Sequence, residues 1–249
     1  MLTSRLLTAA GFVPENVVLA DIGTDHANLP IYLLKTGRIK NAIAVDVHEG
    51  PYQTAKRAVR EQGMETWIDV RLGDGLSALR PGEADVAVFA GMGGLLINSL
   101  LEKSPQVTAA LHGLVLQPQL ACEKVRRYIY DIGWHIEDEA LAKEQHHIYQ
   151  LIYAVPGQRD MPDELVLTVG PILLAKKQAL FKYHIAELLR RSKKMLAGYN
   201  LARVQRNDEQ HRKLSALIKS LEMMSDDKMP DGNGGNGTDR TTRSGGGMG

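Results

Sequence analysis

Along the first 155 residues, short apolar runs alternate with amphipathic stretches, and the runs end repeatedly in an acid or a glycine. Val17 to Ile22 is rich in β-branched and apolar residues, the pattern of a parallel strand covered on both faces. Gly23 permits a sharp turn, and Asn28 with Pro30 can open the helix that follows. Asn41 to Asp46 repeats the strand pattern and is followed by a helix over Pro51 to Gln62. Trp67 to Gly75 is a third strand closing in Gly-Asp-Gly. A fourth, Asp85 to Ala90, runs into Gly91-Met92-Gly93-Gly94 and an apolar helix over Leu95 to Leu101. A fifth strand over His112 to Gln117 precedes a helix from Ala121 to Asp131. Trp134 to Ala142 and His147 to Val155, joined across Lys143 to Gln145, read as a hairpin. The pattern predicts an α/β domain over 1–160 with a mostly parallel seven-stranded sheet closed by a terminal antiparallel hairpin.

After Pro156-Gly157 the period changes. Leu165 to Met224 reads as helical, with Leu174, Phe181, Leu188 and Met195 at seven-residue spacing and a second stripe of Leu214, Leu217, Ile218 and Leu221. We expect an antiparallel, coiled-coil-like helical hairpin over 161–225, its arms joined by the polar segment from Gly198 to Asp208. From Asp226 the chain is dominated by Gly, Asn, Thr and Ser, the composition of a disordered tail over 226–249.

Charge separates the two parts. The formal net charge is only +1, yet residues 1–164 carry 15 Lys or Arg against 21 Asp or Glu, and residues 165–224 carry 12 against 4. A basic helical module beside an acidic α/β domain is the footprint expected for a polyanion, though a merely solvated face would carry the same signature. The single cysteine, Cys122, excludes an internal disulfide framework and suits a reducing compartment, where it reads as structural. Met1 to Ala10 makes a poor signal peptide with Arg5 deep in its run, and no apolar stretch of about 18 residues is present to span a membrane. These features predict a cytoplasmic protein, monomeric by default and with no obligatory protein partner.

The strand ends carry the candidate chemistry. Dinucleotide-binding loops place Gly-x-Gly-x-x-Gly and a helix dipole against a pyrophosphate. Asp21-Ile22-Gly23-Thr24-Asp25-His26 instead offers one glycine and two carboxylates, which would repel a pyrophosphate and suit a cofactor bearing an amino group and a sulfonium cation. The loop favours S-adenosylmethionine over NAD. Asp46, at the end of the second strand with Val47 beside it, is the candidate for ribose hydroxyls, and Asp74 with Gly75 for the adenine amino group. Gly91, Met92 and Gly93 permit close approach by cofactor and substrate. His48 and the pair His146-His147 lack a third ligand at convincing spacing, so no metal is expected.

Taken together, Arg5-Leu6, Asp21-Ile22-Gly23-Thr24-Asp25-His26-Ala27-x-Leu29-Pro30, Gly50-Pro51, Arg71-Leu72-Gly73-Asp74-Gly75-Leu76, Ala90-Gly91-Met92-Gly93-Gly94 and Leu116-Gln117-Pro118 resemble one family. That family is the bacterial tRNA (adenine-22-N1)-methyltransferases, or TrmK family, and the likeness covers roughly residues 2–224. The resemblance implies a Rossmann-like Class I methyltransferase domain and a C-terminal helical domain that helps hold tRNA. It implies that Asp21, Gly23, Thr24, Asp25 and His26 line the methionine side of the cofactor. Asp46 and Val47 then face the ribose, Asp74 and Gly75 the adenine, and Gly91, Met92 and Gly93 both cofactor and target base. One position departs from the pattern: Gln150 stands where relatives commonly carry an acid.

Enzymes that methylate exocyclic amino groups commonly carry an Asn or Asp followed by two prolines and an aromatic after the fourth strand. Ala90-Gly91-Met92-Gly93-Gly94 has no such polar head. A ring nitrogen such as adenine N1 already presents an in-plane lone pair, so Met92 and Gly93 are assigned a positioning role and no base is obligatory. His26 reads as positioning rather than as a base. Arg5, before the first strand, either contacts a phosphate or makes a structural salt bridge; Arg126, Lys182, Arg190 and Arg191 are the further phosphate candidates. Three other readings stay open on the residues alone: a non-catalytic RNA-binding protein with a retained pocket, a methyltransferase for another substrate, and a dehydrogenase.

Overall fold

The computed structural model describes residues 2–201 and 208–226. Every strand foreseen from the apolar runs is present: β1 (Val18–Ile22), β2 (Asn41–Asp46), β3 (Ile68–Leu72), β4 (Val86–Met92), β5 (Gly113–Pro118), β6 (Trp134–Glu144) and β7 (His147–Pro156). They form one sheet in the order β3-β2-β1-β4-β5-β7-β6. β1 to β5 pair in parallel, and β7 runs antiparallel to both β5 and β6. The chain order reverses between β1 and β4, so the carboxyl ends of those two strands open the crevice where ligands of such sheets bind.

Helices α1 (Ser4–Phe12), α2 (Asn28–Lys35) and α3 (Glu49–Glu61) precede or link the first three strands, and α4 (Gly94–Lys103), α5 (Pro105–Ala110) and α6 (Cys122–Asp131) follow the next two. Two apolar clusters fill the faces of the sheet. One gathers Ala20, Ile22, Phe89, Leu114 and Leu116 beneath Ile97 of α4 and Val125 of α6; the other gathers Leu19, Ala44 and Val88 beneath Ala9 of α1 and Leu33 of α2. The central strands are buried on both sides, which is why they read as near-continuous apolar runs.

The basic segment departs from the single stripe expected of it. It folds as α7 (Glu164–Val169), α8 (Pro171–Lys176), α9 (Phe181–Leu201) and α10 (Asp208–Asp226). Gly170 at φ +106 and Lys177 at φ +42 end the first two helices, so Leu174 and Phe181 lie on different helices and the seven-residue spacing does not mark one seam. Met195, the last member of the presumed stripe, is 63 % exposed. α9 and α10 do pair antiparallel, as the contacts Tyr199 with His211 and Lys193 with Glu222 require. Phe181, Ile185 and Leu221 join Leu173 and Val169 in a third apolar cluster, which reaches the sheet through Leu141. Residues 198–201, expected in a connection, continue α9, while 202–207 and the Gly-rich tail lie outside the described residues. No described helix is long and apolar enough to cross a membrane.

The helical layer is attached to the sheet by a buried ion pair. The Arg126 guanidinium on α6, 0 % exposed, donates to Glu139 of β6 at 2.7 Å, to Gln150 of β7 at 2.7 Å and to the Leu167 carbonyl of α7 at 2.9 Å. Glu139 also accepts from the backbone N–H of Ile172 at the start of α8. Gly170 is required here, since a Cβ would lie 2.8 Å from both the guanidinium and the carboxylate. Arg126 is therefore not a phosphate contact. It is enclosed on all sides, and position 150 supplies one of its acceptors.

Candidate functional site

The crevice begins where β1 ends. Gly23 turns at φ +77, and the N–H groups of Gly23 and Thr24 both donate to the Val45 carbonyl, tying this loop to the end of β2. Two buried carboxylates then stand at the ends of the paired strands β1 and β2. Asp21 is only 7 % exposed and accepts a short hydrogen bond from the Thr24 hydroxyl; Asp46 accepts the His48 N–H at 2.9 Å. Burial, partly offset by Thr24 and reinforced by the Asp46 charge, pushes the Asp21 carboxyl up from its ordinary value to about 6. No Lys or Arg pairs with either acid among the described residues. The His48 ring, itself exposed, lies 3.5 Å from Asp46, and two buried carboxylates so placed can receive a ligand cation.

Asp21, Gly23, Thr24, Asp25 and His26 line a single hollow of about 140 Å³, with Arg5 and Ala90 across from them. Asp25 and His26 face each other at 3.3 Å on its rim. Val47 continues from Asp46 onto the surface. Asp74, half-exposed, pairs with Lys103 at 3.2 Å, and Gly75 at φ +60 begins a short turn against Leu100. These groups lie along the carboxyl ends of β2 and β3.

The other wall is the turn after β4. Pairing with β5 shifts register between Ala90 and Met92, and Gly91 takes φ +82 there. The Met92 side chain folds back over the loop after β1: a Cβ on Gly23 would lie 2.3 Å from Met92 Cε. Gly94 packs so closely on the loop after β5 that a Cβ would fall 2.6 Å from the Leu120 carbonyl oxygen. The glycines of this motif thus bring the Met92 turn into contact with both neighbouring loops.

Gln117 holds the turn from beneath. Its amide oxygen accepts the Gly91 N–H at 2.9 Å and the Arg5 guanidinium at 2.7 Å. The Arg5 backbone N–H donates to Glu144 at 2.7 Å, and its guanidinium lies 5.6 Å from the centre of the Tyr149 ring. Arg5 is therefore built into the rim of the site by side-chain partners, with Gly91 so near that a Cβ there would meet Nη1 at 3.4 Å. Gln117 lies in the Leu116-Gln117-Pro118 motif, where no neighbouring residue type marks it for a task. The available signal was a lone polar residue closing the run Leu114-Val115-Leu116, because a buried polar group needs partners.

Lys182, Arg190 and Arg191 lie on α9 rather than at the crevice, and both arginines pair with Glu187. Cys122 is buried, its thiol pushed up to about 11 by desolvation, so it is not a nucleophile. His184, whose ring contacts the Val169 carbonyl, is held down at about 4 by burial and stays neutral. Among the described residues no three His, Cys, Asp or Glu side chains gather as a metal set. A roomier hollow of about 520 Å³ lies between α7, α9 and α10, but its exposed lining is mostly apolar and includes none of the crevice residues.

Comparison with known proteins places this geometry among relatives. A family model, TrmK: tRNA (adenine(22)-N(1))-methyltransferase, matches residues 19–224. A tRNA (adenine(22)-N(1))-methyltransferase of Bacillus subtilis is 32% identical over 230 residues, covering 90% of this chain and 96% of the relative. The crystal structure of the B. subtilis m1A22 tRNA methyltransferase TrmK superposes with a TM-score of 0.82 at 32% identity, over 91% of this chain and 99% of that one. A Streptococcus pneumoniae protein assigned as a tRNA (m1A22) methyltransferase and solved with S-adenosyl-L-methionine superposes with a TM-score of 0.77 at 31% identity, over 90% and 100% of the two chains.

Proposed function

The chain belongs to the TrmK family of S-adenosylmethionine-dependent tRNA (adenine(22)-N(1))-methyltransferases, and we propose that it methylates N1 of adenosine 22 by positioning the reactants, without an obligatory base. The observation that carries this reading is the pair of buried carboxylates, Asp21 and Asp46, at the ends of the paired strands β1 and β2, with no Lys or Arg partner among the described residues. Their negative charge fits the amino group, sulfonium and ribose hydroxyls of the cofactor. Asp21, Gly23, Thr24, Asp25 and His26 then hold the methionine end, Asp46 and Val47 the ribose, and Asp74 and Gly75 the adenine.

Bound S-adenosylmethionine supplies an electrophilic methyl group: the adenine N1 lone pair forms the new N–C bond as the S–C bond breaks, positive charge passes from sulfur to the base, and S-adenosylhomocysteine leaves. The protein's residues set the alignment. Gly91 and Gly93 leave room for the target ring, and Met92 covers the cofactor loop through its contact with Gly23. Gln117 fixes the Gly91 N–H and aims Arg5 at the mouth. The target adenosine must leave its stack to reach this turn. The basic α9, through Lys182, Arg190 and Arg191 among others, supplies electrostatic affinity for the tRNA backbone. We further read the protein as cytoplasmic and as acting without a second protein, which its charge pattern and lone buried cysteine support.

The test is methyl transfer from labelled S-adenosylmethionine to unmodified tRNA, with the product nucleoside and its position identified by mass spectrometry. One 1-methyladenosine at position 22 is expected, and Asp46→Ala should remove it through loss of cofactor affinity. The positioning mechanism is refuted if replacing a single carboxylate or histidine of the site abolishes chemistry while cofactor and tRNA affinities stay intact.

A further inference from the structure

A second concave surface lies where the tip of the β6–β7 hairpin meets α9. It encloses about 290 Å³, walled by Lys143, His146 and His147 from the hairpin and by Tyr183, Arg190 and Arg191 from the helix. Tyr183 is 50 % exposed, so part of its ring is open to solvent at this hollow. Two ammonium groups flank its ring, Lys143 Nζ at 5.5 Å and Lys182 Nζ at 5.4 Å from the centroid, and neither has a carboxylate partner among the described residues. Glu187, the acid in this hollow, is already engaged by Arg190 at 2.8 Å and Arg191 at 2.6 Å. Its carboxyl is held down at about 2 by those two contacts, so it remains a single negative charge among four cations.

Four cations share this half-exposed ring with one carboxylate, and an added anion would offset the surplus positive charge. The combination of a stacking surface and uncompensated ammonium groups is what single-stranded nucleic acid requires, since every base has a π-face and every linkage a phosphate. The hollow also communicates with the methyl-transfer turn. On β7 the rings of His147 and Tyr149 lie 6.3 Å apart; Arg5 sits 5.6 Å from the Tyr149 ring; Arg5 and the Gly91 N–H share the Gln117 oxygen. Side chains two residues apart on a strand share a face, so this is one continuous polar and aromatic track.

We propose that this hollow is a second substrate site, in which a base of the tRNA strand neighbouring the target adenosine stacks on Tyr183 while Lys143, Lys182 and Arg190 hold its phosphates. The track over His147, Tyr149 and Arg5 then guides the strand from this anchor to the Gly91 turn. The inference rests on the tRNA methyltransferase reading and adds to it a base-stacking anchor on the hairpin side of α9.

The experiment uses the full chain and an unmodified tRNA transcript, comparing Tyr183→Ala, Tyr183→Phe, Lys143→Gln and Lys182→Gln with the wild type. Tyr183→Ala should raise the KM for tRNA about 5- to 30-fold while kcat and the calorimetric affinity for S-adenosylmethionine stay within twofold. Tyr183→Phe keeps the ring and should keep the wild-type KM. Each lysine variant should lower the slope of log affinity against log salt by roughly 0.7 to 1. The proposal is overturned by an unchanged KM in Tyr183→Ala, by equal impairment in Tyr183→Phe, or by wild-type salt slopes in both lysine variants. The wild type in the same assay separates the two levels: were it to bind tRNA without methylating it, the methyltransferase reading would fall, and the variants' binding constants would still decide this site.

Discussion

Replacing Asp21 by asparagine should stabilise the cofactor-free protein and weaken the enzyme. Burial raises the Asp21 carboxyl from 3.8 to about 6, so the folded state binds a proton more tightly than the unfolded chain does. Stability from this group is therefore fully present below pH 3.8 and is lost as pH rises through about 6. A shift of that size corresponds to about 3 kcal/mol, of which about 1.4 kcal/mol falls between pH 5 and pH 8. The neutral amide keeps an oxygen to accept the Thr24 hydroxyl, so the local geometry survives the change. Urea unfolding of wild type and Asp21→Asn at pH 5 and pH 8 should show the variant gaining on the wild type by about 1.4 kcal/mol over that interval. Calorimetry at pH 8 should show S-adenosylmethionine binding about 10- to 100-fold more weakly to the variant, the loss of a charge-assisted contact. A stability difference that does not change with pH would refute the buried-carboxylate argument. Unchanged cofactor affinity would refute the proposed role of Asp21 as the cation's partner.

Two further predictions follow from close packing and from burial. Gly23→Ala forces a side chain into the left-handed region at a cost of about 1–2 kcal/mol and drives its Cβ against Met92, so Met92→Ala in the same chain should recover part of the loss. A double-mutant cycle on urea stability and cofactor affinity should show a coupling of about 0.5–3 kcal/mol; strict additivity would mean that the two side chains do not meet. Arg126→Leu should destabilise by about 3–5 kcal/mol by leaving the Glu139 carboxylate buried without its cation, and Glu139→Gln in that background should restore much of it. A loss below about 1 kcal/mol on denaturant unfolding would contradict the enclosed ion pair.

How legible each part was depended on whether its determinants lie close together in the chain. Strands β1 to β7 were foreseen because burial on two faces writes a run of apolar residues, and a hairpin writes two such runs with a short link. Asp21, Thr24 and His26 share one loop, so their convergence in a single hollow was foreseeable from adjacency. Asp46 and Asp74 end strands whose order in a parallel sheet brings their carboxyl termini to the same edge. The break between α7, α8 and α9 was hidden because leucine spacing carries no record of where a backbone turns at Gly170 or Lys177.

The amino-acid sequence by itself determined the succession of strands and helices, the acidic cofactor-type loop, the glycine turn after β4 and the separation of a negative domain from a positive one. Each of these is a matter of residue types over short spans, where local sterics, hydrophobic period and charge act directly. Only the tertiary structure decided that Arg126 is locked inside rather than offered to phosphate, through partners 13 to 41 residues away. It likewise decided that Gln117 joins Arg5, 112 residues distant in the chain, to the Gly91 turn, and that Tyr183 meets Lys143 across a cleft. An arginine is a surface cation or a buried strut according to what folds against it, and the groups that decide lie too far along the chain for any local pattern to reveal.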